Sequence, residues 1–154
     1  MTNYYADSSA LAKRHVREVG TDWFRALTDP RTGNVITTAR ISIVEIYSTL
    51  NRKLRETALT PEQYAEVIAD FAAFCQTQYE FVELTPAIIE RSRSLLERHP
   101  LRAYDAVQLA SALVMHETLQ ANRLPAPIFL SADDRLLKAA EAEGLAIDNP
   151  NLHP

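Results

Sequence analysis

Four acidic residues fall where a chain could use them for chemistry. Asp7 directly follows the strand-like run "NYYA", and Asp133 follows "IFLSA". Glu45 lies near the start of the helical segment "SIVEIYSTLNRKL", and Asp105 lies in "LRAYDAVQLASAL". There Asp105 shares a helical stripe with Leu109, Ala112 and Leu113, where a carboxylate loses water and gains no obvious partner. Two like charges about 4 Å apart repel by roughly 4 kcal/mol at an effective dielectric of 20. No lysine or arginine neighbours all four acids in sequence, so a divalent cation is the natural counter-charge. Carboxylates without His or Cys suit Mg2+ or Mn2+ rather than zinc.

Each acid also has a purely structural use. Asp7, Asp105 and Asp133 could cap helix N-termini, accepting from free backbone N–H groups and complementing the helix dipole. Ser42-Ile43-Val44-Glu45 fits a capping box, with Glu45 reaching back to the Ser42 amide. What capping does not require is convergence. If the strands pair in parallel, Asp7 and Asp133 leave the same sheet edge, and the helices bearing Glu45 and Asp105 start there.

The elements that must position these residues alternate. "NYYA" and "NVITT" read as strands, with a helical segment "DSSALAKRHVREV" after the first. Ile43, Ile46, Tyr47, Leu50 and Leu54 recur at helical spacing in the Glu45 segment. "TPEQYAEVIADFAAFCQ" starts with Thr60 as cap, Pro61 at the first helical position and Gln63 completing a capping box. "EFVEL" predicts a third strand and "TPAIIERSRSLLER" a helix ending before Pro100. The Asp105 helix runs to about Leu119. "PIFLS" is a short buried strand, "DDRLLKAAEAE" a helix ended by Gly144, and "LAI" a final strand. Strands separated by helices of this length predict an α/β fold, a three-layer α/β/α sandwich around a mostly parallel sheet. Ligands of such sheets bind beyond the carboxyl ends of the strands.

The length of 154 residues fits a single domain spanning 1–154 with one real core. No apolar run is long enough to span a bilayer, and "MTNYYADSS" lacks the features of a secretion signal, so a cytoplasmic protein without membrane contact is expected. The net charge of −4 argues against bulk attraction to nucleic acid. Contacts with nucleic acid would need local clusters: Lys13/Arg14/Arg17, Arg52/Lys53/Arg55, or Arg91/Arg93/Arg98/Arg102. Cys75 has no partner cysteine, sits in an apolar helical pattern and reads as core. Trp23 likewise reads as buried. His15, His99, His116 and His153 form no joint motif and take surface or packing roles.

Three other classes with this architecture fail on specific residues. A phosphate-accepting receiver wants an acidic pair at the first strand and a lysine after the last; "ADSS" and "LAIDNP" supply one acid and no lysine. A haloacid-dehalogenase phosphatase wants Asp-x-Asp, and position 9 is serine. Three ungrouped glycines exclude a dinucleotide-binding turn.

Four segments in order, "YYADSSALAK", "ISIVEIYSTL", "LRAYDAVQLASAL" and "FLSADDRLLKAA", make the chain resemble a PIN-domain ribonuclease, more narrowly a VapC-type toxin of a toxin–antitoxin pair. The resemblance covers nearly the whole chain and implies catalytic acids at Asp7, Glu45, Asp105 and Asp133. It implies Mg2+ or Mn2+ held by Asp7 and Asp105, with Glu45 and Asp133 acting through water or on a second ion. Ser9 and Ser131 match small hydroxyl positions that orient carboxylates or water. Asp134 is either an auxiliary ligand or a helix-start charge.

The implied activity is endoribonuclease cleavage by a metal-activated water, leaving a 5′-phosphate and a 3′-hydroxyl. The implied partners are RNA, a small antitoxin that blocks the cleft with a basic side chain, and a second copy of the chain. The competing expectation is a PIN fold kept as a binding or assembly module. Acids that repel without metal lead to one further expectation: Asp105→Asn should raise the melting temperature of the metal-free protein.

Overall fold

The first element, strand β1 (Asn3–Ala6), ends at Asp7, whose side chain accepts from the Ala10 amide and so starts helix α1 (Ser8–His15). Helix α1 stops earlier than its sequence pattern suggests, because Val16 is extended and His15 is anchored sideways by Asp70 and the Tyr79 hydroxyl, each at 2.7 Å. Helix α2 (Thr21–Leu27) follows; no side chain caps it, and its N-cap is Gly20 at φ +83°. A Cβ on Gly20 would lie 2.3 Å from the Pro150 carbonyl oxygen, so glycine permits both the turn and this close approach.

Strand β2 (Val35–Ala39) leads into α3 (Ser42–Arg55), and α4 (Pro61–Thr77) carries the full Thr60/Gln63 capping box. Strand β3 (Tyr79–Val82), α5 (Pro86–Arg98) and α6 (Ala103–Ala121) come next, then β4 (Ile128–Leu130), α7 (Asp134–Ala142) and β5 (Ala146–Asp148). All four strand pairings are parallel, in the order β3-β2-β1-β4-β5. This is a computed structural model covering residues 1–154.

Period-two alternation along the strands feeds two cores. Tyr5, Ala39 and Phe129 point to one face, where they meet Ile88 and Leu95 of α5, Leu109 and Leu113 of α6, and Leu136 of α7. Ala6, Ile36, Tyr79 and Leu130 point to the other and meet Leu11, Phe24, Ile46, Leu50 and Phe71 of α1 to α4. The sheet is therefore the middle of three layers. Cys75 packs at the edge of the second core, and Trp23 stacks on His153 with ring centroids 4.0 Å apart. No helix is long and apolar enough to cross a membrane.

The chain winds from β1 outward to β2 and β3, then returns to place β4 on the other side of β1. The strand order thus reverses between β1 and β4, and the crevice beyond their carboxyl ends is where such sheets take ligands. Asp7 follows β1 there, its amide donating to the Leu130 carbonyl of β4 at 3.0 Å.

Candidate active site

Asp7 is fixed by its own turn and by β4. Its Oδ1 accepts from Ser9 Oγ at 2.7 Å and from the Ala10 amide at 2.9 Å, and its Oδ2 accepts from Ser131 Oγ at 2.7 Å. The two hydroxyls are themselves oriented: Ser9 Oγ accepts from the Ala132 amide at 2.9 Å and Ser131 Oγ from the Asp133 amide at 3.0 Å. With each proton committed to Asp7, the 3.4 Å contact between the hydroxyl oxygens has none left to share. Asp7 is only 3% exposed, and burial pushes its pKa up to about 6 despite these hydrogen bonds; the charge of Glu45 adds to the rise.

Glu45 is held from both sides. Ser8 Oγ donates to Oε2 at 2.9 Å and Gln108 Nε2 donates to Oε1 at 2.8 Å. The second Nε2 proton of Gln108 goes to Ser42 Oγ at 2.8 Å, and its Oε1 accepts from Tyr5 OH at 2.7 Å. Ser42 Oγ and Thr38 Oγ1 lie 2.6 Å apart. Gln108 is a fully bonded buried amide joining β1, α3 and α6. The sequence reading missed it; the available signal was one amide inside the apolar run "AVQLASAL".

Two of the four capping expectations hold and two do not. Asp7 caps α1, and Asp133 caps α7 through the amides of Arg135 at 2.9 Å and Leu136 at 3.3 Å. Asp105 is not a cap: Arg102 occupies that position in α6 without a side-chain bond, and Asp105 lies in the first turn. The Ser42/Glu45 capping box is also not formed, because α3 is preceded by Ile41 in helical conformation and Glu45 turns to Ser8 and Gln108. Glu45 and Asp105 are therefore the two acids with no capping role.

No cation neighbours all four acids in sequence, but the fold brings one to two of them. Arg102 Nε donates to Asp105 Oδ2 at 3.1 Å, and Arg102 Nη2 lies 3.6 Å from Asp133 Oδ2. The Asp105 hydrogen bond raises the Arg102 pKa, and the charges of Asp105, Asp133 and Glu45 all add to the rise. Asp134 faces elsewhere and accepts from Asn149 Nδ2 at 2.9 Å.

A cleft of about 980 Å³ is lined by Ser8, Ser9, Glu45, Arg102, Tyr104 and Asp105, with Lys13, Arg52 and Lys53 along the same wall. Asp7 lies behind Ser9, and Asp133 is reached through Arg102. A second cavity, about 680 Å³ between α7 and β5, holds Asp134 and none of the four acids. As the side chains stand, no three His, Cys, Asp or Glu residues are gathered closely enough to hold a metal ion. The donor chemistry nevertheless fits a hard divalent cation. It is all oxygen, Asp7 is a desolvated carboxylate whose charged form a cation would favour, and Oδ2 of Asp7 accepts a single hydrogen bond.

Residues 4–142 match the PIN domain family. Ribonuclease VapC45 of Mycobacterium tuberculosis (strain CDC 1551 / Oshkosh) and ribonuclease VapC49 of M. tuberculosis (strain ATCC 25618 / H37Rv) are each 29% identical over 150 residues, covering 97% of this chain and 97% of theirs. Among solved structures, VapBC2 from Rickettsia felis bound to a promoter DNA fragment superposes with a TM-score of 0.62 at 11% identity, covering 96% of this chain and 98% of that one. A toxin–antitoxin complex from Klebsiella pneumoniae gives 0.55 at 17% identity, covering 96% and 97%.

Proposed function

The chain belongs to the PIN-domain family and resembles VapC-type toxins, and from that premise we propose that it is one PIN domain acting as a metal-dependent endoribonuclease, the toxin of a toxin–antitoxin pair. The observation that carries this proposal is that Glu45 and Asp105 line one cleft together with Ser9, which holds Asp7. Asp7 and Asp105 would hold Mg2+ or Mn2+, with Glu45 and Asp133 acting through water. Such an ion supplies a water of lowered pKa and offsets charge on phosphoryl oxygens.

The chain's own residues provide the positioning. Ser9 and Ser131 keep both oxygens of Asp7 in one orientation, and Ser8 and Gln108 do the same for Glu45. Arg52 and Lys53, which line the cleft in no ion pair, give it a local positive charge that the net charge of −4 conceals, which suits an RNA strand. Lys13 contributes less, since its ammonium is taken up by Glu18 at 3.3 Å and the Val19 carbonyl at 2.8 Å. The proposed place of action is the cytoplasm. The likeness to solved toxin–antitoxin complexes supports a small antitoxin as partner, and the resemblance to VapC-type toxins is what suggests a second copy of the chain.

Incubating the protein with a mixed RNA pool and Mg2+ or Mn2+ tests the proposal. Fragments with 5′-phosphate and 3′-hydroxyl ends are expected, with none from Asp7→Asn. Cyclic-phosphate ends, or full activity in excess EDTA, would refute it. The spread of the four acids favours one second reading, a PIN fold serving as a binding or assembly module. RNA retained but never cut in the presence of metal would establish that instead.

A further inference from the structure

Arg102 stands at the junction of the acids, and no other feature of the cleft explains its placement. Its Nε bonds Asp105 Oδ2 at 3.1 Å while its Nη2 reaches Asp133 Oδ2 at 3.6 Å, so one guanidinium spans acids that come from α6 and from the turn after β4. The side chain is 78% exposed and has no other hydrogen bond, against 16% exposure for Asp105 and 31% for Asp133. A cation held so loosely is displaced at little cost, because exposed ion pairs contribute almost nothing net. Guanidinium groups also match phosphate oxygens with two parallel hydrogen bonds.

We propose that Arg102 is a built-in counter-cation that competes with the divalent ion for Asp105 and Asp133 and releases them when a nucleotide phosphate draws it away. This rests on the metal-dependent nuclease assignment. Its consequence is mutual reinforcement: phosphate bound at Arg102 tightens the metal, and metal bound at the acids frees Arg102 for phosphate. Reciprocity of the two affinities is a thermodynamic requirement. The competing account is a static surface ion pair between Arg102 at the N-cap of α6 and Asp105 three residues on, in which case nucleotide would leave the metal affinity of the parent unchanged.

The test is titration of Mn2+ into metal-free protein by calorimetry, with and without uridine 5′-monophosphate, a phosphate carrier with no phosphodiester to cleave. Without nucleotide, Arg102→Gln should bind Mn2+ about two- to fivefold more tightly than the parent, while Arg102→Lys, which keeps the charge, should stay near it. Saturating nucleotide should tighten Mn2+ binding to the parent by about threefold and leave Arg102→Gln unchanged. Unchanged or weaker Mn2+ binding by Arg102→Gln, with binding still abolished by Asp105→Asn, would overturn the role of Arg102 and leave the metal assignment standing. Binding to the parent that Asp7→Asn and Asp105→Asn both leave intact would overturn the metal assignment, and the role of Arg102 with it.

Discussion

Asp105 lines the cleft and Asp7 is bonded to its lining residue Ser9, and the two acids are held by opposite means. Asp7 lies under the sheet edge, closed in by two serine hydroxyls and a backbone amide, and its charge is disfavoured by burial. Asp105 lies in the first turn of α6, partly open to solvent, and an exposed guanidinium answers its charge. The first arrangement is rigid and electrostatically costly; the second is adjustable and nearly neutral. A cation arriving between them would relieve the first and displace Arg102 from the second. The pair teaches that one residue type can serve as fixed anchor and as adjustable ligand, according to what surrounds it.

The largest effect that could break this comparison is on cleavage. Asp7→Asn and Asp105→Asn should both lower the rate of RNA cleavage at saturating metal by more than about 100-fold, beyond the usual cost of losing a contact that merely orients a ligand. If only one of them does so, the two sides do not form one site.

Stability against pH separates the anchors more sharply. The folded pKa of Asp7, about 6, lies above its ordinary value of 3.8, so the folded state keeps a proton that the unfolded state releases. Its contribution is therefore fully present below about pH 4 and lost as pH rises through 6, by about 3 kcal/mol in all. Urea denaturation in EDTA from pH 4 to 8 should show this loss in the parent and not in Asp7→Asn, which retains a side chain able to cap α1. Adding Mn2+ at pH 7.5 should recover stability in the parent.

Gln108→Leu comes next. It strips partners from Tyr5 OH and Glu45 Oε1 and removes one from Ser42 Oγ, and should cost about 1–3 kcal/mol by denaturation. The smallest effect is expected from Asp105→Asn in EDTA, within about 0.5 kcal/mol of the parent, since neither a cap nor a buried ion pair is lost. This replaces the expectation, drawn from repulsion among four unpaired acids, that the substitution raises the melting temperature. Arg102 already relieves that repulsion, and the cost of unneutralised charge lies at Asp7.

The places where sequence reasoning fell short have a common cause. Helix α2 escaped it because "TDWFRAL" has no side-chain cap and follows a left-handed glycine whose fit depends on Pro150. The pattern predicts the third strand at "EFVEL", whereas it runs from Tyr79 to Val82, because Tyr79 is recruited by His15 and the second core. Gln108 escapes sequence reasoning, and Arg102 reads only as one of a basic cluster, because Tyr5, Glu45 and Asp133, which they engage, lie on other elements. By contrast, the Thr60/Gln63 capping box forms as read, since all its atoms lie within four residues.

What the amino-acid order determined on its own is the alternation of strands and helices, the parallel sheet that follows from it, and the delivery of Asp7 and Asp133 to one edge. These are short-range matters of periodicity, capping and chain connectivity. Only the tertiary structure decided which acids cap, which is buried, and which is answered by a cation. Those outcomes depend on desolvation and on contacts such as Ser131 to Asp7, made across 124 positions of chain, and no local pattern encodes a distance of that kind.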